Sequence, residues 1–280
     1  MSWAVIGLLL GGCAPAADDS GKLQVVAGLY PLAYIAERVG GPAVEVVDLT
    51  PAGAEAHDIE LTAQQVATVL AADVVLAVPN LQPALDAALT QADPASRLDA
   101  LAAIGRPDES DPHLWLNPSL LLQVAASLRD RLVELDPERA TQFQQGYDSL
   151  ASDITALLSE YETGLQTCDS RVIVVNHEAY GYLAELNGLE QIAVSGLSPE
   201  SEPSPARLRE VADLVRQLGV TTIYSESALD TKVAATISSE TGAKLAVLTP
   251  IESRGLDATA DYLDLMRENL AALVKGQGCR

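Results

Sequence analysis

No stretch of this 280-residue chain is long and apolar enough to cross a bilayer as a helix. The run from Trp3 to Gly12 holds only ten residues, against the roughly 20 that a spanning helix needs. Basic residues are scarce as well, with 17 Lys and Arg facing 39 Asp and Glu for a formal net charge of −22. Such a surface argues against nucleic acid and against electrostatic docking on anionic lipid. There is no short-period repeat and no low-complexity tract. His-Glu-x-x-His and the nucleophile elbow, signatures of zinc proteases and serine hydrolases, are also missing. Histidine occurs only three times, at His57, His113 and His177. What is present is an ordinary globular composition, 48% apolar and 20% charged, in a chain long enough for two domains.

Met1 to Gly12 carry no charge, so the remainder of the chain carries all of it. A short apolar stretch followed by small residues reads as a secretory signal core over residues 1–12. It ends in Leu10-Gly11-Gly12-Cys13, which resembles a bacterial lipobox and so implies lipidation of Cys13 and a tether over residues 14–21. A plain cleaved signal is the alternative, and no Lys or Arg precedes the run. With Cys13 lipidated, Cys168 and Cys279 remain. An even pair in an exported chain predicts one disulfide. Two separate thiols are the other reading, because bridging depends on a Cα separation that sequence does not give.

Short β-branched runs alternate with helical patterns, a rhythm that predicts parallel sheets covered on both faces. Strands are expected over Gln24–Ala27, Val44–Leu49, Val74–Val78, Arg171–Val175, Val220–Tyr224 and Lys244–Leu248. The clearest helix spans Ser204 to Leu218, with Ser204 as cap, Pro205 in the first turn and Leu208, Val211, Val215 and Leu218 as its apolar stripe. From Asp136-Pro137 to Gln166 no strand pattern appears. That stretch predicts one helix of about 30 residues, roughly 45 Å long. The expected division is an N-terminal α/β lobe (22–134), a long linking helix (135–167) and a C-terminal α/β lobe (168–280).

In open α/β sheets, ligands bind beyond the carboxyl ends of the strands. His177 comes two residues after the Arg171–Val175 run, and His57 lies in a loop with Pro51 and Gly53 after Val44–Leu49. The third, His113, sits in Asp111-Pro112-His113-Leu114-Trp115-Leu116-Asn117-Pro118. Neutral imidazole is a preferred ligand of zinc and other borderline metals. Taken singly, each histidine also fits a surface or hydrogen-bonded imidazole. Three of them in loop-like segments predict one metal site in the cleft between the lobes.

The ordered series of motifs resembles the metal receptors of bacterial ABC importers, in the group that captures zinc or manganese. It runs through Tyr30-Pro31-Leu32, Val39-Gly40-Gly41, the Pro51–His57 loop, Ala71-Ala72-Asp73 and the His113 segment. His177-Glu178-Ala179-Tyr180-Gly181-Tyr182, Glu202-Pro203-Ser204-Pro205 and Glu240-Thr241-Gly242-Ala243-Lys244 continue it. The resemblance implies two Rossmann-like lobes bridged by a rigid helix. His57 and His113 would be ligands from the first lobe and His177 from the second. Histidine at position 177 matches zinc-type relatives, where manganese and iron types usually carry glutamate; three imidazoles suit zinc in any case. Many relatives place a ligating aspartate where this chain has Thr249. Water is therefore the expected fourth ligand, with Glu55, Glu226, Glu252 and Asp257 as alternatives. Between Pro107 and Pro112 stand only four residues, where zinc-type relatives often insert a long histidine-rich loop. Trp115 and Tyr180 fit packing near the site or plain core packing equally, and Glu178 fits either an acid that orients an imidazole or a solvated or structural one. The implied function is a monomeric extracytoplasmic receptor, anchored through Cys13, that binds one Zn²⁺ and delivers it to an ABC permease. A Mn²⁺ or Fe²⁺ receptor is the runner-up. A three-histidine zinc hydrolase or an adhesin is a remote alternative.

Overall fold

A computed structural model describes residues 21–107, 109–197, 202–227, 232–255 and 259–280. The apolar leader, Cys13 and the tether up to Ser20 lie outside the described residues, as does Asp257.

The first half runs β1 (Leu23–Ala27), α1 (Tyr30–Gly40), β2 (Val44–Asp48), α2 (Ala63–Ala71), β3 (Val74–Ala77), α3 (Pro83–Leu89), β4 (Arg97–Asp99), the short α4 (Ala100–Ala103) and α5 (Pro118–Leu135). After α6 (Ala140–Gly164) come β5 (Val172–Val175), α7 (Gly181–Asn187), β6 (Glu190–Ala193), α8 (Pro205–Leu218), β7 (Thr222–Ser225), α9 (Lys232–Thr241), β8 (Lys244–Val247) and α10 (Tyr262–Gly276). Every strand pairing is parallel. Both sheets have four strands and the same topology, β2-β1-β3-β4 and β6-β5-β7-β8. Central strands β3 and β5 are continuous apolar runs because helices cover both faces, and in β1 Val25, Val26 and Ala27 are all fully buried.

The six strands expected from the sequence are present, with ends shifted by one or two residues. Two more, β4 and β6, were not anticipated. Both are sheet edges, and Arg97-Leu98-Asp99 and Glu190-Gln191-Ile192-Ala193 lack the apolar run that marks a central strand. An edge strand has one neighbour and a wet side, so it needs no such run. The expected α8 is present with its cap, Ser204 Oγ accepting from the Arg207 amide at 3.2 Å.

The linking helix needs correction at its start. Asp136 does cap it, accepting from the Arg139 amide, but residues Pro137–Arg139 form a 3₁₀ turn. The regular α6 then spans 25 residues, about 38 Å at 1.5 Å per residue. Its buried stripe of Phe143, Leu150, Ile154, Leu157 and Tyr161 belongs to a core that includes side chains of both halves. Toward the first half, Gly146 meets the end of α1 so closely that a Cβ would lie 2.5 Å from the Val39 carbonyl oxygen. Toward the second, Tyr161 Oη donates to the Met266 carbonyl on α10 at 2.7 Å. The helix is thereby packed on both sides.

Cys168 and Cys279 are bridged, closing a sequence separation of 111 residues around the second half. Asp169 and Ser170 also donate their amides to the Gln277 carbonyl. A bridge across so long a loop stabilises chiefly by restricting the unfolded chain, by about 2–4 kcal/mol. Replacing both cysteines by serine is expected to lower unfolding stability by that amount in a denaturant titration while leaving the far-ultraviolet spectrum intact. An unchanged transition midpoint would contradict the assignment.

Candidate metal centre

The site forms where the carboxyl ends of the two sheets face each other, and each contributor is fixed by its own local structure. His57 lies in the loop between β2 and α2. Buried Gln82 pins that loop, its side-chain amide donating to the carbonyls of Gly28 at 2.9 Å and Ala56 at 3.1 Å. The His57 amide donates to Glu55 Oε1 at 3.3 Å. His113 precedes the 3₁₀ turn Leu114–Leu116 and is wholly buried. Asp111 Oδ1 accepts from the His113 amide at 3.0 Å and lies 2.8 Å from its Nδ1. On the other side of the cleft, His177 follows β5, with Nδ1 2.7 Å from Glu226 Oε1 at the end of β7. Asn176 Nδ2 donates to the same Glu226 oxygen at 3.1 Å. Carboxylates on two Nδ1 atoms select the tautomer that leaves Nε2 as the free electron-pair donor.

All three Nε2 atoms point to one place, and a carboxylate meets them there. Glu252 Oε1, on the segment after β8, is 3.6 Å from the Nε2 of His57, of His113 and of His177. These four atoms are buried and have no hydrogen-bond partner. The donor set of His57, His113, His177 and Glu252 lies within 4.8 Å of one another. A tetrahedral zinc with bonds of about 2.0–2.1 Å has donor–donor edges of roughly 3.3–3.4 Å, so the distances to Glu252 suit a cation at the centre after a small contraction.

In the fourth place, where water was the expected ligand and Glu252 one of the alternatives, the Glu252 carboxylate faces the three imidazoles. Of the other acids considered, Glu226 braces His177 and Glu55 accepts from the His57 amide. Thr249 stands off the cluster, its hydroxyl accepting from the Ile251 amide. Glu178 is exposed, which agrees with its reading as a solvated acid; Asp111 and Glu226 are the acids that meet the imidazoles. Trp115 and Tyr180 do pack against the site, their rings 5.3 Å from His113 and 6.5 Å from His177.

Electrostatics follow from burying one carboxylate among three imidazoles. Burial favours the neutral form of His177, but the Glu226 carboxylate on its Nδ1 and the nearby Glu252 carboxylate prevail and push its pKa up to about 10. Burial acts the same way on His113, where Asp111 and Glu252 again move the balance upward. Glu252 is held well below the usual carboxylate range, its burial outweighed by the three imidazoles gathered around it. Glu55 goes the other way, raised to about 8 by burial and by the Glu252 charge.

Two α/β halves joined by a long helix, with a three-histidine, one-carboxylate cluster between them that could hold a metal ion, set the class of architecture. The family described as the periplasmic zinc-uptake complex component A, ZnuA, matches residues 25–276, and the chain belongs to it. The zinc-binding lipoprotein AdcA of Streptococcus pneumoniae TIGR4 is 31% identical over 96% of this chain and 59% of its own length. This chain therefore spans only about three-fifths of that relative. Bacillus subtilis strain 168 has a high-affinity zinc uptake system protein ZnuA that is 29% identical over 92% of this chain and 88% of its own. Among solved structures, the Zn(II)-bound ZnuA-like domain of S. pneumoniae AdcA superposes with a TM-score of 0.79 at 31% identity, covering 92% and 99% of the two chains. The laminin-binding protein Lmb of Streptococcus agalactiae, described as an adhesin with metal-transporting activity, gives 0.81 at 29% identity over 91% and 99%.

A pKa for His177 above its ordinary value means that this imidazole holds its proton at neutral pH until a cation displaces it. Metal binding should therefore release protons and tighten as pH rises toward about 10. Between pH 8 and pH 6, zinc affinity is expected to fall about tenfold per pH unit for each proton displaced. Competition titration, corrected for protonation of the chelator, measures this; an affinity independent of pH would contradict it.

Proposed function

We propose that this chain is a zinc receptor that captures one Zn²⁺ outside the cytoplasmic membrane and delivers it to an ABC permease. One observation carries the reading: three Nε2 atoms and one carboxylate oxygen, all buried and all without partners, surround a common point. Such atoms are costly to bury bare, and a divalent cation satisfies all four together. The proposed ligands are His57, His113, His177 and Glu252.

Ligand softness supports zinc over manganese. Three imidazoles with a single oxygen suit a borderline metal, whereas manganese favours more oxygen donors. The zinc-binding lipoprotein AdcA and the zinc uptake protein ZnuA, to which the chain is similar, agree with zinc. Four protein donors also favour a receptor over a hydrolase, because catalytic zinc keeps an open position for water. Release then requires the lobes to part, since His57 and His113 come from one half and His177 and Glu252 from the other. The extracytoplasmic setting is supported by the family description and by the lipoprotein name of AdcA. Among the described residues no helix is long and apolar enough to cross a membrane. Anchoring through lipidated Cys13, action as a monomer and a permease partner complete the proposal.

Equilibration of the protein with equal zinc and manganese, followed by elemental analysis, is expected to find one zinc per chain. His177→Ala should weaken zinc binding at least about 100-fold in a chelator competition, since a ligand contributes more than the 10–100-fold of an outer partner. Preferential retention of manganese, or unchanged affinity in the variant, would overturn the assignment.

A further inference from the structure

Ile251, the residue immediately before Glu252, has φ of 55°. Asn80 is the other non-glycine residue with positive φ among the described residues. Asparagine tolerates that conformation, whereas a β-branched residue adopts it only where its surroundings enforce it. The left-handed step has a geometric consequence. An extended continuation of β8 would advance about 10 Å over the three residues from Thr249 to Glu252. The chain instead turns back and brings Glu252 Oε1 to 3.6 Å from each of three imidazoles.

We infer that Thr249 is the positioning residue of this turn: its hydroxyl captures the Ile251 amide and thereby aims the Glu252 carboxylate into the metal centre. The Ile251 amide donates to Thr249 Oγ1 at 3.2 Å. Thr249 is itself held at both backbone atoms by buried Asn269 of α10. Its amide donates to Asn269 Oδ1 at 2.9 Å, and its carbonyl accepts from Asn269 Nδ2 at 2.8 Å. Neighbouring residues are pinned in turn. Trp115 Nε1 donates to the Pro250 carbonyl at 2.7 Å, and Tyr180 Oη donates to that of Leu248. The Tyr30 amide reaches the Glu252 carbonyl at 3.3 Å, and the Ile251 side chain is buried. With the backbone fixed on both sides, the hydroxyl at 249 is the local contact that selects the turn. Thr249, two residues past β8, therefore shapes the site from outside the ligand set.

This inference rests on Glu252 being a metal ligand, and the experiment separates the two claims. Zinc affinity is measured by chelator competition for Thr249→Val, Thr249→Ser and Glu252→Gln, and for Thr249→Val combined with Glu252→Gln. Thermal melting of each metal-free protein reports folding, and Thr249→Ala substitutes for the valine variant if that one does not fold. Thr249→Val is expected to lose about 10–100-fold in affinity, the range typical of a group that orients a ligand. Thr249→Ser, which keeps the hydroxyl, should bind within about threefold of the unaltered protein, well inside that range. Adding Thr249→Val to Glu252→Gln should cause no further loss, because the carboxylate it aims is already gone. Equal losses with and without the Glu252 carboxylate, unchanged affinity in Thr249→Val, or a serine variant as weak as the valine one would each overturn the inference. Unchanged affinity in Glu252→Gln alone would instead remove the ligand assignment on which it stands.

Discussion

Four buried polar atoms without partners, three imidazole nitrogens and one carboxylate oxygen, set the terms for the rest of this molecule. Groups of this kind are tolerated inside a protein only when something satisfies them. They are supplied by loops from two halves of the chain, and no one of those loops makes a site alone. Both sheets aim their carboxyl ends at this point, and the same strand order on each side, β2-β1-β3-β4 and β6-β5-β7-β8, makes the meeting nearly symmetric. The junction is where a parallel α/β architecture places its ligands. Here two such sheets share one.

Around the cluster, hydrogen bonds cross between the halves at nearly every level. Trp115, two residues after His113, donates to Pro250, two residues before Glu252. Its own carbonyl accepts from Tyr262 Oη at 2.6 Å. Tyr182 Oη reaches the Asp111 carbonyl at 3.1 Å, and the Gly53 amide donates to the Arg254 carbonyl at 2.9 Å. At the rim, Arg254 lies over the ring of Tyr30 and pairs with Glu37 at 3.4 Å. Most of these contacts involve the backbone of a segment that also carries a proposed ligand or its brace. Moving one half against the other would therefore disturb the donor geometry directly. Packed helix α6, with Gly146 against α1 and Tyr161 against α10, limits what motions are available.

The sequence exposed the histidines because there are only three, and it exposed the central strands because burial on two faces leaves a continuous apolar run. It was far less telling about the acids. Among 39 carboxylates, nothing in the local pattern marks Glu252 as the one that enters the site, or Asp111 and Glu226 as the braces. Glu252 arrives through a left-handed backbone at Ile251, a conformation that no hydrophobic periodicity encodes. Glu178, adjacent to His177 in sequence, could be read as a brace or as a solvated acid, and it is exposed. Glu226 succeeds because β5 and β7 are neighbours in the sheet, with Val175 paired to Tyr224. Gln82, which fixes the His57 loop from a distance, carried no signal of its own. Edge strands β4 and β6 were hidden because Arg97-Leu98-Asp99 and Glu190-Gln191-Ile192-Ala193 hold too short an apolar run, whereas edges β2 and β8 keep Val46-Val47 and Leu245-Ala246-Val247.

The central claim is that these four side chains form one tetrahedral zinc centre. Zinc K-edge X-ray absorption on protein loaded with one equivalent of metal tests it most directly. The account predicts three nitrogen ligands with imidazole multiple scattering and one oxygen, all near 2.0–2.1 Å, with the oxygen shell altered in Glu252→Gln. A spectrum with fewer than three imidazoles, or an oxygen-dominated shell, would contradict it.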